Sequence, residues 1–175
     1  MRHQLSIMLC CLFLAFSMFQ CGSINQIFEP TTPRSGTSTS GSSSTSQLRR
    51  NIVDKALQQQ GARYKYAGES PRTGFDCSGL THYVFEAFNI DLTRTSRSQE
   101  NDGRTIRVEQ AQPGDLIFFR KSRAGSVFHV SLVVENSRSG IVVVHSTSSR
   151  GVIRENISTS SYWKSKVWSA RDVIK

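Results

Sequence analysis

Gly74-Phe75-Asp76-Cys77-Ser78-Gly79-Leu80 is the stretch that decides how this chain of 175 residues is read. Asp76 is a natural N-cap, and from Cys77 onward Leu80, Val84, Ala87 and Phe88 recur at helical spacing on one face. A helix therefore opens at Cys77. Unpaired backbone N–H groups and the positive end of the helix dipole then surround the thiol. Such a setting favours the thiolate over a free cysteine, which titrates near pH ~8.5, and offers N–H donors to a developing oxyanion.

Upstream of that helix, Ile52, Val53, Ala56 and Leu57 mark a first amphipathic helix beginning near Leu48, with Gly61 at its end. The turn-rich Gly68 to Gly74 reads as a loop. Downstream, a short helical stretch is expected at Arg97 to Asp102, after which the pattern becomes β. Strands are expected at Arg104–Val108, Leu116–Phe119, Phe128–Glu135, Ile141–His145, Val152–Arg154 and Val167–Val173. Pro113-Gly114-Asp115 and Asn136 to Gly140 supply breaks between them. Helices first and strands second give an α+β class, with N-terminal helices packed on a mainly antiparallel sheet.

The formal charge is +9, and residues 1–47 hold only Arg2, Arg34 and Glu29, so the remaining +8 lies on residues 48–175. A basic surface calls for an anionic partner. No Lys/Arg block interleaved with aromatics is present and no zinc-finger or RNP-like pattern, so nucleic acid is not the expected partner. An acidic polymer such as the bacterial wall fits.

Met1-Arg2-His3-Gln4 followed by the apolar run Leu5–Phe19 reads as a signal peptide over residues 1–20. The junction Met18-Phe19-Gln20-Cys21-Gly22-Ser23 resembles a bacterial lipoprotein signal, in which Cys21 becomes the lipidated N-terminus. Residues 21–47, rich in Ser, Thr, Gly and Pro, then form a flexible tether, and residues 48–175 form the domain. Cys10 and Cys11 leave with the signal. Once Cys21 is acylated, Cys77 is a lone thiol without a disulfide partner, so it serves either packing or chemistry.

His129 lies in Phe128-His129-Val130-Ser131-Leu132-Val133-Val134, where alternation puts His129, Ser131 and Val133 on one face. A hairpin with a three-residue loop at Asn136–Arg138 sets Glu135 opposite Ser139 and His129 opposite His145. Both imidazoles then share a face, while a slip of one residue would separate them. One can take the thiol proton and the other can fix its tautomer. His82, five positions after Cys77, points away from it and reads as a surface residue. Cys77, His129 and His145 are also zinc-ligand types, but no C-x-x-C pair or fourth ligand stands at the usual spacing, so no metal is expected.

Taken with Gly61-Ala62-Arg63-Tyr64-Lys65-Tyr66, Pro113-Gly114-Asp115-Leu116-Ile117-Phe118-Phe119, His129-Val130 and Val144-His145-Ser146, the Asp-Cys-Ser-Gly motif resembles the NlpC-type cell-wall cysteine peptidases. Within that family it is most similar to the Spr-type lipoprotein murein endopeptidases. The resemblance implies a papain-like fold and hydrolysis of peptidoglycan stem peptides or their cross-links by a Cys77, His129, His145 triad without cofactor. It also implies that Tyr64 stands beside the nucleophile. Asp76 and Ser78 are expected to line the cleft and hold charged groups of the substrate. Tyr66-Ala67-Gly68 replaces the family's Tyr-Gly-Gly, a departure that touches the substrate cleft. The expected protein is a monomer in the cell envelope, lipid-anchored to a membrane (the outer one in a Gram-negative cell). Two other classes remain open: a non-catalytic peptidoglycan-binding lipoprotein and a thiol acyltransferase on the same fold.

Overall fold

The structure is a computed structural model and describes residues 40–174; Cys21, the signal expected over 1–20 and most of the expected tether lie outside them. Helix α1 runs Ser40–Leu57, so it starts before the expected Leu48 and takes in the last part of the expected tether. Ile52, Val53 and Ala56 anchor it in the core, and the Ser-rich turns ahead of them extend a helix already nucleated by packing. Ser46 Oγ donates to the Ser42 carbonyl at 2.8 Å, and Gln47 donates to Asn51 at 2.8 Å. Among the described residues no helix is long and apolar enough to cross a membrane.

The expected loop at Gly68 to Gly74 holds a small antiparallel ribbon, β1 (Glu69–Ser70) against β2 (Gly74–Phe75). Helix α2 (Cys77–Glu86) follows, capped by Asp76, whose side chain accepts from Gly79 N–H. Leu80, Val84 and Phe85 are buried, whereas Ala87 is the exposed C-cap and not part of the apolar face. His82 is half-buried rather than a free surface residue. A single-turn α3 (Ser96–Gln99) carries a Thr95/Ser98 capping box.

Six antiparallel strands complete the domain: β3 (Arg104–Ile106), β4 (Leu116–Arg120), β5 (Val127–Ser137), β6 (Gly140–Thr147), β7 (Gly151–Asn156) and β8 (Val167–Asp172). Their order is β3-β8-β4-β5-β6-β7. Alternation along β4 explains the two-sided core. Leu116 and Phe118 pack with Ile52, Leu80, Val84 and Leu132 beneath the helices, while Ile117 and Phe119 pack with Val143, Trp163 and Ala170 on the opposite face. Each fully buried side chain of this size contributes about 1.5–3 kcal/mol. The α+β class and helix-on-sheet packing are those expected from the sequence.

The hairpin that brings the histidines together is built differently from the expectation. Ser137 pairs with Gly140, so the loop has two residues, not three. A register shift between Val133 and Glu135 follows, after which Leu132 faces Val144. The paired register ends there; carried one step on, it would set His145 toward Ser131, not His129. The bulge is what preserves the shared face: continuing the hairpin register without it would pair His145 with Leu132, on the helix side.

Candidate active site

Cys77 reaches the sheet because two close approaches fix the start of α2. The Gly68 carbonyl accepts from Asp76 N–H at 2.9 Å, and a Cβ at Gly79 would collide with that carbonyl. From the other side, Ser146 Oγ on β6 donates to the Phe75 carbonyl at 2.7 Å. The strand carrying His145 is thereby tied to the residue two before the thiol.

His129 stands beside a second irregularity. Phe119 pairs with His129 but Arg120 pairs with Val127, which leaves Phe128 as an extra residue. The imidazole is buried and stacked on Trp163, with centroids 4.5 Å apart and planes at 29°. Phe119 and Phe128 close around it at 5.6 and 6.1 Å. Its Nε2 lies 3.0 Å from Nδ1 of His145, which is fully buried. The Nε2 of His145 faces Glu155 Oε2 at 3.4 Å, an electrostatic contact too loose to satisfy that nitrogen as a hydrogen bond. Arg150 Nη2 holds the same carboxylate oxygen at 2.7 Å.

Cys77 and His129 line one cavity of about 520 Å³, with Tyr64, Ser146, Arg150, Glu155 and Trp163 among its walls. The backbone N–H groups of Val130, the residue after His129, and of Ser78 and Cys77 itself lie near enough to the thiol to favour its charged form. Tyr64 forms a bridge with Phe75 and sits close enough to Cys77 for burial first, and then the thiolate charge, to raise its hydroxyl pKa.

A second cavity of about 320 Å³ opens on the other side of Cys77, sharing Tyr64 and Phe128 with the first. Asp76 and Ser78 line it, but both are already engaged. Asp76 accepts from Gly79 N–H at 2.6 Å and from Arg94 Nη1 and Nη2 at 3.2 and 3.1 Å, and Ser78 is bonded to Asp76 and Arg94 at 3.2 Å. Glu69 holds Arg94 Nε at 2.9 Å.

Burial dominates the protonation states. It pushes the Cys77 thiol up, against the lowering by Val130 N–H, and the charge of Asp76 adds to the rise. The expectation of a thiol lowered by the helix terminus is therefore corrected: desolvation outweighs the N–H donors. Burial, with the neighbouring His145, holds His129 well below the usual imidazole value. His145 is lowered to about 4, burial outweighing the attraction of Glu155. Burial alone would raise Glu155, but Arg150 brings it below the ordinary carboxylate value, with help from Ser160 and His145. At neutral pH the site is a neutral thiol beside neutral imidazoles, with Glu155 charged.

Glu155, Arg150, Arg94 and the stacking role of Trp163 were not evident from the sequence, because each comes from a separate element and none belongs to a local motif. Among the described residues no group of three or more His, Cys, Asp or Glu is arranged to hold a metal ion.

Residues 61–172 match the model of the NlpC/P60 family. The chain is 40% identical over 124 residues to a γ-DL-glutamyl hydrolase of Bacillus subtilis (strain 168), covering 70% of this chain and 29% of that protein. It is 31% identical over 128 residues to the murein DD-endopeptidase MepS/murein LD-carboxypeptidase of Escherichia coli (strain K12), covering 73% and 64%. The alignments thus span less than two thirds of either relative. An NlpC/P60 family protein from Bacillus cereus ATCC 10987 superposes with a TM-score of 0.66 at 29% identity, covering 73% of this chain and 40% of that one. An NLP/P60 protein similar to lipoprotein from Staphylococcus aureus Mu50 gives 0.63 at 35% identity, covering 74% and 42%. The helices on an antiparallel sheet are those of the papain-like fold. With its motifs, its fold and most of its length matched, the chain belongs to the NlpC/P60 family.

Proposed function

We propose that the protein is a cysteine peptidase that hydrolyses amide bonds of peptidoglycan stem peptides or their cross-links. The observation that carries this reading is the shared cavity of Cys77 and His129, with His129 backed at 3.0 Å by His145. The names of the relatives, a γ-DL-glutamyl hydrolase and a murein peptidase, support amide hydrolysis of this kind.

Glu155 favours a proton on Nε2 of His145, which makes Nδ1 of His145 an acceptor. His129 then donates through Nε2, leaving its Nδ1 lone pair for the thiol. The thiol proton passes to His129 as sulfur attacks the carbonyl, and the N–H of Cys77 and the Tyr64 hydroxyl face the oxyanion. His129 gives that proton to the leaving amine. Water, deprotonated by His129, then splits the thioester and releases the carboxylic acid and the free thiol. Arg94, held by Asp76 and Ser78, meets a charged group of the substrate in the second cavity. The neutral resting pair requires proton transfer to accompany attack.

Masses of the products from purified sacculi test the reaction. Hydrolysis adds one water per bond cut, acyl transfer adds an amine acceptor instead, and a binding protein leaves the muropeptides unchanged. On the same reading Cys21 carries the lipid that holds the domain in the envelope. Incorporation of a labelled fatty acid that survives in Cys21→Ala would remove that anchor from the account.

A further inference from the structure

Next to the catalytic cavity lies a cavity of about 330 Å³ whose walls include Arg120, Lys121, Arg123, Lys166 and Trp168 and no acidic residue. Lys121 lines both this cavity and that of Cys77, and Tyr162, which carries Lys166 on its ring, lines the latter, so the two spaces are neighbours across Lys121. Arg120 is spoken for: Glu100 binds it at 3.0 and 3.1 Å, and its guanidinium lies 4.0 Å over the Trp168 ring. That arrangement fixes Trp168 as a platform, 42% exposed. Lys166 donates to the Tyr162 carbonyl at 2.6 Å and sits 3.8 Å over its ring, while Tyr162 itself is 51% exposed.

Lys121, Arg123 and Lys166 form no ion pair with a carboxylate among the described residues. Three cations without a carboxylate partner around one hollow repel each other, even with Lys166 resting on Tyr162 and Lys121 5.5 Å from the Phe128 ring. The partly exposed Trp168 and Tyr162 leave apolar surface in water. An anionic chain with carbon-rich segments relieves both. We propose that this groove is an extended subsite for a carboxylate-bearing stretch of the polymer whose amide is cut at Cys77. Adjacency to the catalytic cavity across Lys121 selects the substrate's own extension over a separate anion, and in a peptide polymer the anionic group is carboxylate. The inference rests on the proposed reading of Cys77 and adds that the preferred substrate is a long, carboxylate-rich chain rather than a short fragment.

The test is retention of full-length protein on purified sacculi in a Cys77→Ala background, with and without Arg123→Glu/Lys166→Glu. Retention is expected to fall about tenfold and to become less sensitive to salt, as for loss of an electrostatic contact. Poly-γ-glutamate is expected to compete, and a polyol-phosphate polymer of equal charge to compete at least fivefold less. With Cys77 restored, turnover of sacculi should fall at least fivefold more than turnover of a tripeptide. The milder Arg123→Gln/Lys166→Gln pair guards against misfolding. Unchanged retention, equal competition by the polyol phosphate, or equal loss on tripeptide and sacculi overturns the subsite. Retention needs no turnover, so a Cys77→Ala protein that still cleaves would sink the catalytic reading while the groove is judged separately.

Discussion

The Nδ1 of His145 stands 3.0 Å from the Nε2 of His129, and its own Nε2 faces Glu155 at 3.4 Å. In the proposed mechanism the carboxylate at the end of this line biases the tautomer of both rings electrostatically. Glu155→Gln keeps the shape but offers either a donor or an acceptor, so the bias is lost. The expected result is a fall in kcat of about 10- to 100-fold with KM little changed and a shifted pH profile, as for groups that orient a catalytic imidazole. A parallel loss of stability with an unaltered pH profile would reduce Glu155 to a structural role.

Burial raises the Cys77 thiol and lowers His129, so a resting ion pair is disfavoured. Alkylation of Cys77 by iodoacetamide should therefore rise with an apparent pKa above that of free cysteine. A plateau reached by pH ~6 would show a preformed thiolate instead.

Gly79 lies where the Gly68 carbonyl presses against the first turn of α2. In Gly79→Ala that carbonyl must move, and with it the Asp76 N–H bound to it. The variant should lose about 2 kcal/mol in chemical denaturation, within the range for overpacked sites, and most of its activity. Near wild-type activity would show that the loop position does not set the thiol.

Two buried neutral histidines make the fold acid-sensitive. His145 takes up a proton near pH 6.5 when unfolded but only near about 4 when folded. Between those values the unfolded chain binds more protons, so stability is fully present above pH 6.5 and is lost as pH falls toward 4. His145 contributes to this loss, and His129, shifted the same way, adds to it. Melting temperatures from pH 7 down to 4 should fall for wild type and less steeply for His145→Gln. Parallel curves would contradict this.

The sequence revealed the parts of the fold that depend on local periodicity. Alternation in Phe128–Val134 and the Asp76 cap located β5 and α2, because such patterns need only a neighbour to pack against. Register was harder. The shared face of His129 and His145 was expected through a three-residue loop, but it depends on a two-residue turn and a bulge that offset one another. A bulge leaves no mark in the alternation of a strand whose both faces are buried. The thiol's environment was only half legible for a similar reason: helix position is read locally, whereas burial against the core beneath the sheet depends on strands distant in sequence. Arg94, Arg150 and Glu155 read as ordinary surface charges until folding sets them around the cavities.

Cys77 acting with His129 is the centre of the proposed mechanism. Clearing of purified sacculi by Cys77→Ala and by His129→Ala, each with a wild-type melting curve or one close to it, tests that directly. Both variants are expected to be slower by at least about 1,000-fold, as when either member of a nucleophile–base pair is removed. Clearing by Cys77→Ala within threefold of wild type would contradict the assignment of the nucleophile, and the mechanism with it.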